Sequence, residues 1–195
     1  MLRSLPCERG ESPLTGTVTA VVLDIVESTK LHVQLGDVAL HQSITHWQSA
    51  LGALADAHGG HLVSRQGDGW LAVFGGARRA LRFANEVRTA SGFPRLRLGV
   101  NTGDALWDGE DYTGLAITLA FRICATAEPG EILVAARSAD LVGGAPRFAF
   151  GPDRTIEAKG FPDLERVFEL LHADSEYEPG CPARVSSAPA EMPSS

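Results

Sequence analysis

Three features of this 195-residue chain predict an α+β sandwich. The run from Val18 to Leu23 is apolar on both alternating faces, the mark of a strand buried from two sides. A long stretch with apolar residues at three- and four-residue steps follows and predicts a helix. Two short apolar runs then flank Gly67-Asp68-Gly69, which predicts a β-hairpin, before helix and strand patterns return. The order strand, helix, hairpin, helix, strand is that of a ferredoxin-like βαββαβ sandwich with its helices on one sheet face, here extended by C-terminal strands.

The organising stretch is residues 19–31, where Val18, Ala20 and Val22 share one side of the strand and Val21 and Leu23 the other. Asp24 breaks the apolar run at its end, and Ser28 and Thr29 offer N-cap oxygens to the next helix. That helix turns Leu31, Leu35, Val38, Ile44, Trp47, Leu51, Leu54 and Ala55 inward and ends near His58, at Gly59-Gly60. Strands are expected over residues 61–66 and 70–74. A second helix buries Ala77, Ala80, Leu81, Ala84 and Val87 and leaves Arg78, Arg79, Arg82 and Arg88 on a solvated face. An alternating strand covers residues 95–102 and a turn-rich link follows it. A third helix, near residues 115–127, carries the stripe Ala116, Leu119, Ala120 and Ile123. Beyond Pro129-Gly130 come a strand at 132–134, a short helix at 137–142 and strands around Phe148 and residues 166–171. Residues 1–16 read as a flexible leader and 17–172 as one domain. The stretch 173–195, rich in Pro, Ser, Glu and Ala, reads as a disordered tail.

Composition narrows the function classes. A net charge of −7 argues against a nucleic-acid partner gripped through its phosphates, though not against a small phosphorylated ligand neutralised by a metal. No apolar run reaches the ~18 residues of a membrane span, and no secretory signal is visible, so neither a membrane nor export is expected. Cys7, Cys124 and Cys181 fit neither a disulfide framework nor a zinc site, which points to a reducing, cytoplasmic setting.

Placing the first strand beside the hairpin brings Asp24 and Asp68 to one end of the sheet, next to free helix N–H groups. Two carboxylates there suit a two-metal site acting on a nucleoside triphosphate. The motifs VVLDIVEST, GDGWLAVF, LRLGVNTGDAL, DYTGLAITLAFR and AKGFPD, in this order over residues 17–171, resemble the catalytic domain of class III adenylyl and guanylyl cyclases. The resemblance extends to LGD at residues 35–37 and PGEILV at 129–134, which carry no catalytic meaning.

The resemblance implies a domain that dimerises head to tail with active sites at the interface. Asp24 and Asp68 would hold two Mg²⁺ or Mn²⁺ ions, and the backbone of Ile25, Val26 and Glu27 would cradle the triphosphate. Asp111 stands seven residues before Thr118 and eleven before Arg122, at the positions of the purine-selecting, ribose-positioning and phosphate-binding residues. Thr118 and Arg122 share a helix face and would act on substrate held by the other subunit. Lys159 matches the lysine for the terminal phosphates. Two positions depart from the pattern. Ser64 stands where adenylyl cyclases have lysine and guanylyl cyclases usually glutamate, and Thr118 stands where asparagine is expected. Asp111 tips the substrate toward ATP, with GTP the alternative. The implied activity is formation of 3′,5′-cyclic AMP and pyrophosphate by a homodimer, weakened at Ser64 and Thr118. Its rivals are a catalytically silent nucleotide-binding domain and a partner for another cyclase-type chain.

Overall fold

The computed structural model describes residues 16–67, 69–143 and 147–174, with backbone alone at residues 64–66. β1 (Gly16–Ile25) is followed by α1 (Ser28–Ala57), the hairpin β2 (Gly60–Gln66) and β3 (Gly69–Phe74), then α2 (Ala77–Thr89) and β4 (Leu96–Trp107). These pair in the order β2-β3-β1-β4, all antiparallel, which is the ferredoxin-like arrangement. The rest of the domain comprises β5 (Tyr112–Thr113), α3 (Leu115–Thr126), β6 (Ile132–Ala135), α4 (Ala136–Asp140), β7 (Phe148–Glu157) and β8 (Leu164–Ala173). β6 adds to β4 in parallel, β8 and β7 extend the sheet further, and β5 pairs only with the end of β4.

The expected strand, buried on both faces, is β1. Val21 and Leu23 join a core with Ile44, Trp47 and Leu51 of α1 and Leu81 and Phe83 of α2. Val18, Ala20 and Val22 join a second core with Ile117, Ala120 and Cys124 of α3. The helices therefore cover both faces of the sheet, not one as expected. Burial of β1 on two sides already required this, since a buried apolar face needs a layer against it. Gly99 lets α3 sit close, because a Cβ there would stand 2.3 Å from the Cys124 backbone nitrogen.

Five other local expectations change. α1 is interrupted at Gly36 (φ 74°, ψ 168°), and this leaves Leu35 and Val38 exposed where a continuous helix would turn them inward. Its N-cap is Glu27, and neither Ser28 nor Thr29 caps it: Ser28 is already helical. On α2, Arg78 and Arg79 are exposed, but Arg82 is buried and Arg88 half-buried. Arg88 donates to the carbonyls of Leu170 and Leu171 and so ties α2 to β8. The link expected after residue 102 is instead the outer half of β4, which continues to Trp107 and so places Asp104 on a strand. β8 runs to Ala173, a buried residue at the point where the tail was expected to begin. Cys7, Cys181 and the rest of the terminal segments lie outside the described residues. No helix among the described residues is long and apolar enough to cross a membrane.

Candidate active site

Asp24 is the penultimate residue of β1 and lies directly opposite Gly69 on one side and Arg97 on the other. The hairpin turn closes hard on it, because a Cβ at Gly69 would stand 2.5 Å from the Leu23 carbonyl and 3.5 Å from Asp24 Oδ1. Only glycine permits that approach. Asp68 itself lies outside the described residues; of its two neighbours, Gly69 pairs with Asp24 across the sheet.

Immediately beyond β1 the chain turns through Val26 and Glu27. Glu27 adopts a left-handed conformation (φ 55°, ψ 39°), the one non-glycine positive φ among the described residues. Such a conformation costs a side-chain-bearing residue about 1–2 kcal/mol and concentrates at functional sites. The Glu27 carbonyl accepts from the amides of Lys30 and Leu31, its carboxylate pairs with Lys30, and the Val26 amide donates to Arg95. The first turn of α1 leaves N–H groups without intrahelical acceptors, so the helix start at Ser28 and Thr29 is an anion-binding end. A cavity of about 210 Å³ opens there, lined by Ile25, Ser28, Thr29, His32 and Gly67 among others.

Sequence reasoning missed Arg97. Its Nε and Nη2 both donate to Asp24 Oδ2, at 2.8 and 2.6 Å, while Nη1 donates to the Ala125 carbonyl in the last turn of α3 at 3.2 Å. The signal was an arginine placed among apolar strand residues, but only the β1–β4 register shows what it faces. Cys124 lies beside this pair and donates to the Arg97 carbonyl. Burial, with the Asp24 carboxylate adding to it and Arg97 opposing it, pushes the Cys124 thiol up to about 12.

Hard divalent cations bind carboxylate oxygens. Asp24 Oδ1 has no hydrogen-bond donor among the described residues and faces the 67–69 turn. Among the described residues no group of three or more His, Cys, Asp or Glu side chains gathers as a closed metal cage. One open carboxylate oxygen at a strand end fits a metal that takes its other ligands from elsewhere, water and substrate included.

The remaining predicted residues lie elsewhere on the surface. Gly16 of β1 pairs with Ala105, so the β4–β5 end of the sheet is eight residues of β1 away from Asp24, roughly 25 Å. Asp111 sits at that far end, its carboxylate accepting from the Tyr112 amide, in a turn that Asp108 organises by accepting from the amides of Glu110 and Asp111. Those two amides hold the Asp108 carboxyl below its ordinary value. α3 begins beyond it, with Thr118 and Arg122 both exposed one turn apart on the same helix face. The Thr118 hydroxyl donates to its own helix at the Gly114 carbonyl, 3.2 Å away. Lys159 is exposed in the turn between β7 and β8. Ser64 pairs with Leu71 just past a register irregularity in β2; its side chain is outside the description. The structure thus gathers Asp24, Ile25, Val26 and Glu27 near Gly67 and Gly69 and sets Asp111 at the far end of the sheet; Thr118, Arg122 and Lys159 are exposed, with Arg122 three residues before Ala125, whose carbonyl Arg97 holds beside Asp24.

No family model matches the chain. An uncharacterised protein of Mycobacterium tuberculosis is 34% identical over 167 residues, which are 83% of this chain and 58% of the relative. A protein of Glutamicibacter nicotianae named adenylate cyclase is 28% identical over 160 residues, 80% of this chain and 40% of its own length. The chain thus spans well under two thirds of the curated relatives it matches. Among solved structures, the catalytic core of a rhodopsin-guanylyl cyclase with converted specificity, in complex with ATPαS, superposes with a TM-score of 0.72 at 22% identity. The match covers 82% of this chain and 98% of that one. The chain has the fold of the class III adenylyl and guanylyl cyclase catalytic domain.

Proposed function

We propose that this domain is a nucleotidyl cyclase acting on ATP, with its active site shared between two copies of the chain. The observation that carries the proposal is the junction of β1 and α1. There Ile25, Ser28, Thr29 and Gly67 line a cavity at the first turn of α1, and the adjoining end of β1 carries Asp24, paired with Gly69 and with one carboxylate oxygen open among the described residues. That combination suits a metal-bound triphosphate. Asp24 and Asp68 would hold Mg²⁺ or Mn²⁺, which lowers the pKa of an attacking hydroxyl and neutralises pyrophosphate. The amides of Glu27, Ser28 and Thr29 would bind phosphate oxygens. In the reaction the ribose 3′-oxygen bonds to the α-phosphorus, the bond from that phosphorus to the pyrophosphate oxygen breaks, and the hydroxyl proton is lost to solvent.

Geometry supports the second copy. Asp111 lies roughly 25 Å from Asp24 along the sheet, and Thr118 and Arg122 are exposed, which supports a site completed by a second copy. Large exposed apolar residues flank both halves: Val33 and Val38 on α1, Leu106 and Leu115 beside Asp111 and α3. Head-to-tail pairing would cover both patches. Arg122 of one copy would then stabilise charge on the phosphoryl group held by the other, with Lys159 on the terminal phosphates and Asp111 selecting adenine.

A second reading has its own observation. The Thr118 hydroxyl has one hydrogen and spends it on Gly114, so it has none to donate to a ribose. That favours a slow enzyme or a domain completed by another cyclase-type chain. The deciding measurement is incubation with ATP, and separately GTP, in Mn²⁺ and then Mg²⁺, with cyclic nucleotide read by mass spectrometry. Cyclic AMP above an Asp24→Ala control is the expected result. Saturable nucleotide binding without product, lost in the same control, would establish the second reading.

A further inference from the structure

Asp24 is already engaged. Both Nε and Nη2 of Arg97 sit on its Oδ2, while Oδ1 is left open toward the 67–69 turn. The third arm of the same guanidinium holds the Ala125 carbonyl, at the C-terminal end of α3 where a cation is favoured by the helix dipole. The pair is a cross-strand pair fixed by register, and its two side chains are one-third and one-quarter exposed, so solvent screens it only in part.

We propose that Arg97 is the resting counter-ion of Asp24 and competes with a divalent cation for it. A cation that enters at the open Oδ1 meets the guanidinium charge across the same carboxylate, and the Ala125 carbonyl holds that charge in place. Arg97 thereby raises the metal concentration needed to load the site. One carboxylate then has to neutralise two cations, which repel each other across it, and a guanidinium stays charged at any physiological pH. Arg97 acts through Asp24 and is a positioning residue. The inference rests on the reading of Asp24 as a metal ligand.

The test is Mn²⁺ binding without nucleotide, followed by the electron paramagnetic resonance signal of free Mn²⁺. It compares wild type, Arg97→Met, Arg97→Lys and Asp24→Asn, each checked for folding by circular dichroism. Loss of the arginine should tighten Mn²⁺ binding roughly five- to tenfold in Arg97→Met and by less in Arg97→Lys. In the wild type, the ¹⁵Nε resonance of Arg97 should shift on titration with Mg²⁺ and stay still in Asp24→Asn. That second readout stands if the Met variant does not fold. Mn²⁺ binding that depends on Asp24 but is unchanged or weaker in Arg97→Met, or an Arg97 resonance blind to Mg²⁺, overturns the competition and leaves the metal site standing. Binding indifferent to Asp24→Asn removes the metal site itself, and the competition with it.

Discussion

The two halves of the candidate site are built in opposite ways. Around Asp24 everything is braced: a half-buried carboxylate pinned by Arg97, a glycine turn closed to contact distance and a left-handed residue that stops one element and starts the next. Around Thr118 and Arg122 the side chains stand on an exposed helix face, and Asp111 rests in a turn held by Asp108. A preorganised half can be finished inside one chain, because its partners are backbone neighbours in a sheet. An exposed half is organised only by what covers it. The difference predicts a division of labour, with one chain binding metal and phosphates and another supplying the groups that orient the reaction.

The largest effect that can break this comparison comes from complementation. Under the proposed function, Asp24→Ala and Arg122→Ala should each lose at least ~10³ of any cyclase activity, since the first would remove a metal ligand and the second charge stabilisation. If the halves meet across two copies, mixing the two inactive variants restores one intact site in each mixed dimer. Random pairing makes about half the dimers mixed, with one good site of two, so recovery should approach about a quarter of wild type. Activity assays on mixed and unmixed proteins settle the point, and no recovery on mixing would place both halves in one chain.

Much of the braced half was legible in the sequence, and little of the exposed half's surroundings was. Alternation in residues 18–23 marked β1 as doubly buried, and the glycines around Asp68 marked the hairpin; both are local patterns. The Asp24–Arg97 contact was not legible, because it depends on the register between strands 73 residues apart in sequence. The break at Gly36 escaped for a different reason: helical spacing continued across it, so periodicity alone extended one helix where the backbone makes two. α3 shows the reverse. Its buried stripe was read correctly, but the layer it packs on was not, since a stripe names a face and not the partner.

A smaller effect sharpens the exposed half. Asparagine at position 118 would bring an amide donor that a back-bonded hydroxyl lacks, and lysine at 64 a donor for the purine ring. The double variant Thr118→Asn/Ser64→Lys should raise turnover of ATP by about tenfold or more, measured as initial rate in Mn²⁺. No gain would mean that the limit lies outside these two positions.

Within the braced half, two glycines of one turn make a finer contrast. Ala at position 69 must push against the Leu23 carbonyl, whereas Ala at position 67 meets no atom within 4 Å and bears only the strain of φ +65°. Gly69→Ala should therefore cost about 1–3 kcal/mol and weaken Mn²⁺ binding, while Gly67→Ala should cost about 1 kcal/mol with less change in metal affinity. Thermal unfolding and Mn²⁺ titration of the two variants check this. Equal losses would deny that the close approach at Gly69 shapes the site.

The smallest expected effect is a pH dependence seated behind the same carboxylate. Burial, and after it the Asp24 charge, raises the Cys124 thiol to about 12, whereas an unfolded cysteine titrates near 8.5. The folded protein keeps the proton that the unfolded chain releases, so this stabilisation is whole below about pH 8.5 and declines as pH rises toward 12. At pH 10 the decline should amount to about 1–2 kcal/mol, at 1.36 kcal/mol per pH unit. Urea unfolding of wild type and Cys124→Ala at pH 7 and pH 10 isolates it, because every other titrating group is common to both. The difference in stability between the two proteins should shrink by that amount on going to pH 10. A thiol reagent at pH 8 should meanwhile leave Cys124 unmodified in the folded protein. A constant difference across the two pH values would show that Cys124 does not feel Asp24 and Arg97 as a buried neighbour, and that the braced half is looser than its contacts indicate.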